Sequence, residues 1–322
     1  MSFSNKNYIK VRDEFRKKKL ARENAAEALT LKLHIEYPEL AEIDKSLSNA
    51  GLKVFAAAVE GGEDLAEKIE AMRIENLELQ AKRRAFLISK GMSADADEPK
   101  YDCDKCKDEG FIDGKMCDCF RQALVDLTFE TSGIGYLAET QSFDSFSTEY
   151  FKDDPRALES IEIIRMICRD YAENFKPGAS RNLLFIGNTG LGKTHLSTAI
   201  AKKVIEGGCD VVYDTAQNIF ADFEIEHFSR NRDEEDRTSR YFDCDLLIID
   251  DLGTEMTNSF TVSTLYNIIN TRLNHRAAMI INTNLGQNDL RSRYSDRITS
   301  RLFGDFSPLH FIGRDVRSGK LM

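Results

Sequence analysis

The chain lacks the features that export or membrane insertion would require. Its first residues, MSFSNKNYIKVRDEF, contain no apolar stretch of the kind a secretory signal needs. No apolar run approaches the roughly 18–20 residues of a membrane-spanning helix. Seven cysteines is an odd number, and with no sign of export a disulfide framework is excluded as the organising principle. The cytoplasm is the expected location, and there clustered thiols are more often metal ligands. Basic residues are outnumbered as well: 44 Lys and Arg against 54 Asp and Glu leave a net charge of −10. That excludes a broad, sequence-blind affinity for nucleic acid, so any DNA contact has to be local. Proline is scarce in the first ninety residues, where Pro38 stands alone.

What is present is a soluble globular composition, 42% apolar and 30% charged over 322 residues, enough for one large domain and an appended module. Charge is uneven. Arg291 to Lys320 holds seven Lys and Arg against three acids, and Asp222 to Asp245 nine acids against four arginines. The first ninety residues are rich in strong helix formers. In the segment from Glu63 to Gly91, Leu65, Ile69, Met72, Asn76, Leu79, Arg83 and Phe86 follow each other by fours and threes, an apolar seam with two polar interruptions. It fits a helical hairpin packing on itself, or a docking surface for a partner with Asn76 fixing register. Gly61-Gly62 breaks the pattern before this helix, and GMSADADEPK (91–100) reads as a polar linker after it. Arg16-Lys17-Lys18-Lys19 reads as a solvated helix face, with a phosphate contact as the alternative.

Residues 102–120 read DCDKCKDEGFIDGKMCDCF. Cys103-x-x-Cys106 and Cys117-x-Cys119 are two short chelating bites, and between them Asp113-Gly114 is a favoured two-residue hairpin turn. A hairpin brings the bites together, so four thiolates can converge on one Zn²⁺; none of the five histidines lies nearby. An iron–sulfur cluster uses the same four-cysteine set and stays open as the alternative. Four protein ligands leave no open coordination position, so the site is expected to be structural, stapling a module too small to fold on apolar burial alone.

Beyond Phe120 come a short amphipathic stretch, RQALVDLTFE, and then a segment with the aromatics Phe143, Phe146, Tyr150 and Phe151. Asp154-Pro155 signals the start of a helix reaching about residue 175. From there apolar strands alternate with helical patterns, the signature of a parallel α/β sheet. The strand LLFI (183–186) runs into a G-x-x-x-x-G-K-T loop, Gly187-Asn188-Thr189-Gly190-Leu191-Gly192-Lys193-Thr194, followed by His195 and an amphipathic helix. Strand, glycine-rich loop and helix together form a phosphate cradle of backbone N–H groups. In it Lys193 meets the β- and γ-phosphates and Thr194 ligates Mg²⁺. The run DLLIIDDLGTE (245–255) is a buried strand delivering two acids: Asp250 for the Mg²⁺ shell, Asp251 for the attacking water. The shorter Asp at the second position hints at slow hydrolysis. A third strand, AMIINTN (278–284), ends in Asn282, Thr283 and Asn284, where an amide can orient water against the γ-phosphate. The helix DRITSRLFG carries Arg297 and Arg301, either of which could reach a neighbouring subunit's ATP, or simply form a surface ion pair. Arg314 and Arg317 are further phosphate-contact candidates.

The motifs GNTGLGKT, LLIIDDLGTE, TN (283–284), SRL (300–302) and GRDVR (313–317), spread over roughly residues 140–322, resemble those of the bacterial replicative-helicase loaders of the DnaC/DnaI type within the AAA+ ATPases, a group that includes the IstB-like helper ATPases. The resemblance implies an α/β fold: a P-loop parallel sheet flanked by helices, without a C-terminal lid, preceded by a helical and zinc-hairpin N-terminal domain. It also implies Asn284 as sensor amide, Arg301 as trans finger, adenine near SFDSF (142–146), and an N-terminal domain gripping a hexameric replicative DNA helicase. The organisation expected is a helical partner-binding region 1–95, a Cys₄ zinc module 96–130, a linker 131–155 and the AAA+ domain 156–322. The expected activity is weak ATP hydrolysis with ATP, Mg²⁺ and Zn²⁺ as ligands, single-stranded DNA as a second partner, and an ATP-dependent homo-oligomer. Relatives contact DNA through the insertion that is here acidic, HFSRNRDEEDR (227–237), where Phe220, Phe223 and Phe228 could stack on bases or belong to the core. An IstB-like transposition helper and a non-hydrolysing nucleotide-binding adaptor are the rival readings; a small-molecule kinase would need an acceptor pocket and a lid that the motifs do not supply.

Overall fold

A computed structural model describes residues 3–60, 65–228 and 236–316, with side chains described for all of these except 51–60 and 65–68. The chain forms two compact units, one of Arg12–Cys117 and one of Met1–Val11 with Asp118–Met322.

Most of the Arg12–Cys117 unit is helix: α1 (Asn5–Glu36, beginning in the other unit), α2 (Pro38–Glu60) and α3 (Leu65–Ser89). Pro38 opens α2 at a first-turn position, where a missing N–H forfeits no helical bond. α2 and α3 pack on each other. From Ile69 to Phe86 the half-buried positions are Ile69, Met72, Asn76, Leu79, Arg83 and Phe86, and every residue between them is exposed. The seam therefore closes a self-packed hairpin. Leu65 lies outside the described side chains. Arg83 interrupts the apolar pattern because it is paired, 2.6 Å from Asp44 on α2 and 2.6 Å from Asp97. Asn76 accepts from Gln80 of its own helix at 2.7 Å. Leu33, Leu40 and Leu87 form a small core with Tyr37, Phe86 and Met92 around it. Arg16, Lys17 and Lys18 are exposed, and Lys19 pairs with Glu109 and Glu23, as a solvated helix face should. The strands β1 (Phe111–Ile112) and β2 (Lys115–Met116) are antiparallel and joined by Asp113-Gly114, whose φ angles of 49° and 75° belong to a primed hairpin turn.

In the other unit a parallel sheet is built from β3 (Asn182–Ile186), β4 (Val211–Thr215), β5 (Leu246–Leu252), β6 (Ala278–Thr283) and β7 (Phe306–His310), in the order β4-β5-β6-β3-β7. The helices are α4 (Asp118–Thr131), α5 (Leu137–Thr140), α6 (Pro155–Glu173), α7 (Lys193–Glu206), α8 (Ala216–Phe228), α9 (Ser239–Asp243), α10 (Ser259–Asn274), α11 (Gln287–Tyr294) and α12 (Asp296–Gly304). The inner strands β3, β5 and β6 carry apolar runs because both faces are covered. Leu183, Phe185, Leu246, Ile248 and Ile280 face one core, and Leu184, Ile186, Leu247, Ile249 and Ile281 the other. That is the period-two alternation of a strand. Asp154 starts α6 by accepting from the Arg156 and Ala157 amides. Phe143, Phe146 and Phe151 are buried against the first core, while Tyr150 is half exposed. Phe220 is buried and Phe223 stacks on Tyr241, so both belong to the second core. Phe228 is 67% exposed, and residues 229–235 of the acidic insertion lie outside the described ones.

Among the described residues no helix is both long and apolar enough to cross a membrane.

Candidate nucleotide and metal sites

β3 leads into the phosphate loop and α7 leads out of it, crossing to β4 at the sheet edge; α7 packs on β4, β5 and β6. This puts the helix N-terminus over the carboxyl ends of the strands, where open α/β sheets bind ligands. Gly190 and Gly192 have φ angles of 76° and 89°, conformations that favour glycine. A Cβ at Gly192 would lie 2.7 Å from the Phe146 ring, and one at Gly190 would meet the Asp315 carboxylate at 1.7 Å. Asn188 and Thr189 form the outer bend of the loop, and Leu191 is buried. Lys193 is 7% exposed, and its Nζ donates to the Gly187 and Asn188 carbonyls at 2.6 and 2.8 Å. The lysine is thus folded over the cradle in which phosphates would lie.

Asp250, 5% exposed at the end of β5, is held from several sides. Thr194 Oγ1 donates to it at 3.0 Å, Tyr213 Oη at 2.5 Å, Asn282 Nδ2 at 2.8 Å, and the Asp251 amide at 3.0 Å. Asn282 also donates to Ser197 Oγ at 2.8 Å, tying β6 to α7. Burial and the charge of Asp250 together push the Tyr213 phenol up, so it stays a donor. The hydroxyl and carboxylate oxygens of Thr194 and Asp250 are a hard donor set, which fits Mg²⁺. Asp251 follows at φ 52°, exposed, where the β5–β6 register shifts between Ile249 and Leu252. That bulge turns its side chain out of the strand alternation.

His195, on the first turn of α7, contacts the segment Ser142–Phe146. Its Nε2 lies 2.9 Å from the Ser142 carbonyl, and its ring meets Phe146 edge-on. Burial lowers the imidazole pKa, opposed by the hydrogen bond with Ser142. Asn284 stands just beyond β6 and is exposed, with its amide oxygen beside Gly253. On α12 both Arg297 and Arg301 are exposed; Arg301 has long contacts of 3.4 Å to Asp305 and Asn270. Arg314 is exposed, and Arg317 lies outside the described residues. The sequence motifs therefore converge as one group around Lys193, Thr194 and Asp250, with the α12 arginines facing solvent. Sequence reasoning missed Tyr213, whose only signal was a polar pair, Tyr-Asp, near the end of an apolar strand.

The four cysteines of the hairpin converge as well. Their sulfurs lie within 4.8 Å of one another, with Cys103 and Cys117 Sγ 3.8 Å apart. Tetrahedral thiolates at zinc–sulfur bonds of about 2.3 Å stand about 3.8 Å apart, so the set fits Zn²⁺. Cys106 and Cys117 are buried, and the Gly110 amide donates to Cys106 Sγ at 3.3 Å. The buried Asp108 accepts from the Asp102 and Cys103 amides at 3.0 and 2.9 Å and pairs with Arg22, fixing the first bite. No disulfide joins any of the seven cysteines.

Comparison with known proteins agrees with this geometry. The family model described as IstB-like ATP binding protein matches residues 162–303. Phage-like element PBSX protein XkdC of Bacillus subtilis (strain 168) is 28% identical over 220 residues, 63% of this chain and 79% of that protein. Replicative helicase loader DnaC of Escherichia coli (strain K12) is 24% identical over 197 residues, 61% of this chain and 77% of that protein. Among solved structures, a DnaC helicase loader shares 22% identity, with a TM-score of 0.47, over 54% of this chain and 98% of that chain. The phosphate loop and the Thr194–Asp250 pair lie within residues 162–303, the span that is similar to the IstB-like ATP-binding model, and the α/β half of the chain is similar to the DnaC-like AAA+ ATPases.

Proposed function

We propose that this protein is an ATP-dependent loader that binds a hexameric replicative DNA helicase and helps place it on single-stranded DNA. The observation that carries the nucleotide half of this reading is the direct contact of Thr194 with Asp250 beneath the folded-over Lys193. Residues 187–195 would hold ATP, with the loop amides and Lys193 on its phosphates. Thr194 and Asp250 would hold Mg²⁺, which when bound neutralises charge on the phosphates. Asp251 would orient the attacking water, assisted by Asn284, and Arg301 would reach the ATP of a neighbouring copy in an ATP-dependent homo-oligomer. Arg317 would contact nucleotide from the C-terminal segment. An Asp at the water-facing position has a shorter reach than Glu, so hydrolysis would be weak.

The loader half rests on the likeness to the DnaC relative; on this reading the chain would be organised as a helical region 1–95, a Cys₄ zinc module 96–130, a linker 131–155 and an ATPase domain 156–322, in the cytoplasm. The helical region would grip the helicase, and Zn²⁺ on Cys103, Cys106, Cys117 and Cys119 would hold the end of that region in shape. The match to the IstB-like model favours a second reading, a helper of DNA transposition, which shares the ATP chemistry and differs in partner.

The test is co-elution of the full chain with a replicative helicase, with and without ATP, beside ATP turnover of the wild type, Lys193→Ala and Asp250→Asn. ATP-dependent co-elution, and turnover reduced on the order of 10²-fold in both variants, are expected. Turnover without helicase binding would move the assignment to the transposition reading. Binding without turnover would leave an adaptor.

A further inference from the structure

Glu255 closes the DDLGTE motif, yet none of the roles assigned above uses it. It is 5% exposed, and among the described residues its carboxylate contacts are an amide and a phenol. Oε2 accepts from the Gly253 amide at 2.9 Å, and Oε1 accepts from the hydroxyl of Tyr294, itself fully buried at the end of α11. Arg293, the residue before, donates to the Glu255 carbonyl and lies 5.9 Å from the Tyr294 ring. Burying a carboxylate costs free energy that a phenol and one amide only partly offset, so its presence here calls for a positional reason.

The surroundings supply that reason. The loop 251–255 is held along its length: Thr254 bonds back to the Asp251 carbonyl, Thr283 Oγ1 donates to the Leu252 carbonyl at 2.7 Å, and Gly253 packs against Leu285. A Cβ at Gly253, whose φ is 113°, would come 2.6 Å from Leu285. At the other end, Tyr294 is followed by Ser295 at φ 93°, a conformation rarely adopted by non-glycine residues. Ser295 then accepts at its carbonyl from the amide and hydroxyl of Thr299, opening α12, the helix of Arg297 and Arg301. One carboxylate therefore spans from the loop of the water-facing Asp251 to the turn that aims the arginine helix.

We propose that Glu255 is a positioning residue: through Tyr294 it fixes the α11–α12 turn to the Asp251 loop, so that a displacement at the γ-phosphate end of the loop is passed to Arg297 and Arg301. The proposal deepens the reading of this half as an ATP-hydrolysing site and rests on it. The pair acts as one unit, so its deletions are not additive. Tyr294→Phe and Glu255→Ala each lower kcat about tenfold with the KM for ATP unchanged, the double variant is no worse than the worse single, and Glu255→Gln, which keeps an accepting oxygen, regains most of the loss. Additive losses, or wild-type kcat in both single variants, would overturn it. Amide hydrogen exchange decides the matter independently of turnover. In full-length Tyr294→Phe, peptides covering 251–255 and 292–304 should both exchange about tenfold faster; acceleration of one alone, or of neither, ends the proposal. Failure of the ATP reading looks different: the wild type would not hydrolyse ATP, and the exchange result would stand by itself.

Discussion

Two aspartates at opposite ends of the sheet show how neighbours decide what a carboxylate does. Asp250, at the carboxyl end of β5, is surrounded by donors from Thr194, Tyr213, Asn282 and a backbone amide. Asp210, just before β4 at the other end, has acids for neighbours. Burial pushes its carboxyl up to about 6, and the charges of Asp245 and Asp243 push the same way. The folded state therefore binds a proton more tightly than the unfolded chain, and stability falls as pH rises from about 4 to about 6. Below that window the cost is absent; above it the cost is complete. Asp210→Asn removes the charge and keeps an oxygen to accept from the chain. It should stabilise the fold at pH 7.5 by about 1–2 kcal/mol, after allowance for partial exposure, and by nothing measurable near pH 4. Denaturant titrations of both proteins at the two pH values test this. An equal gain at both would mean that the effect is not titration of Asp210.

At the scale of elements, one side chain joins more of the sheet than any motif does. Arg272 on α10 is fully buried, and its guanidinium donates to the carbonyls of Tyr241, Phe242, Cys244 and Ala278. It thereby stitches α9, the entry to β5 and the start of β6 to α10. Arg272→Met fills much of the volume but leaves those carbonyls without donors, so a loss of about 3–5 kcal/mol is expected, read as a lower denaturant midpoint with the slope unchanged. A loss under about 1 kcal/mol would mean that water or relaxation serves the carbonyls equally well. Nothing in the residues near 272 announces this role, because the partners are backbone carbonyls of α9, of the residue that follows it and of the first residue of β6. Local periodicity was far more legible. The fours and threes of α3 reappear as its half-buried stripe, and the Asp113-Gly114 turn and the Asp154-Pro155 start are where residue chemistry puts them. The phosphate loop and Asp250 could be read because both are spelled out contiguously. Tyr213 and Glu255 could not, since each matters only through a residue tens of positions away, Asp250 and Tyr294 respectively. Arg83 had seemed to flaw the seam for the same reason: its carboxylate partners, Asp44 and Asp97, lie on other segments.

For the whole molecule, the division into two units means that ligands of different chemistry act on different bodies. ATP with Mg²⁺ would be held by β3, α7 and β5, all within the Asp118–Met322 body. The first three cysteines lie in the Arg12–Cys117 unit and Cys119 just past the boundary. A ligand that binds only the folded state stabilises the body that holds it, by about 2.7 kcal/mol at a hundredfold excess over Kd. Calorimetry of the full chain should therefore resolve two transitions. ATP and Mg²⁺ should raise one, and Lys193→Ala should abolish that rise. Cys103→Ser/Cys106→Ser should lower the other, with the bound zinc, expected at about one per chain, lost alongside. Chelation of the wild type should reproduce the second effect and leave the ATP-dependent rise in place. A single transition moved by both treatments would show instead that the long α1, which runs from one unit into the other, makes them unfold together. In that case the cysteine hairpin would be stabilising the ATPase as much as the helical region, and a metal-free chain should lose nucleotide binding too.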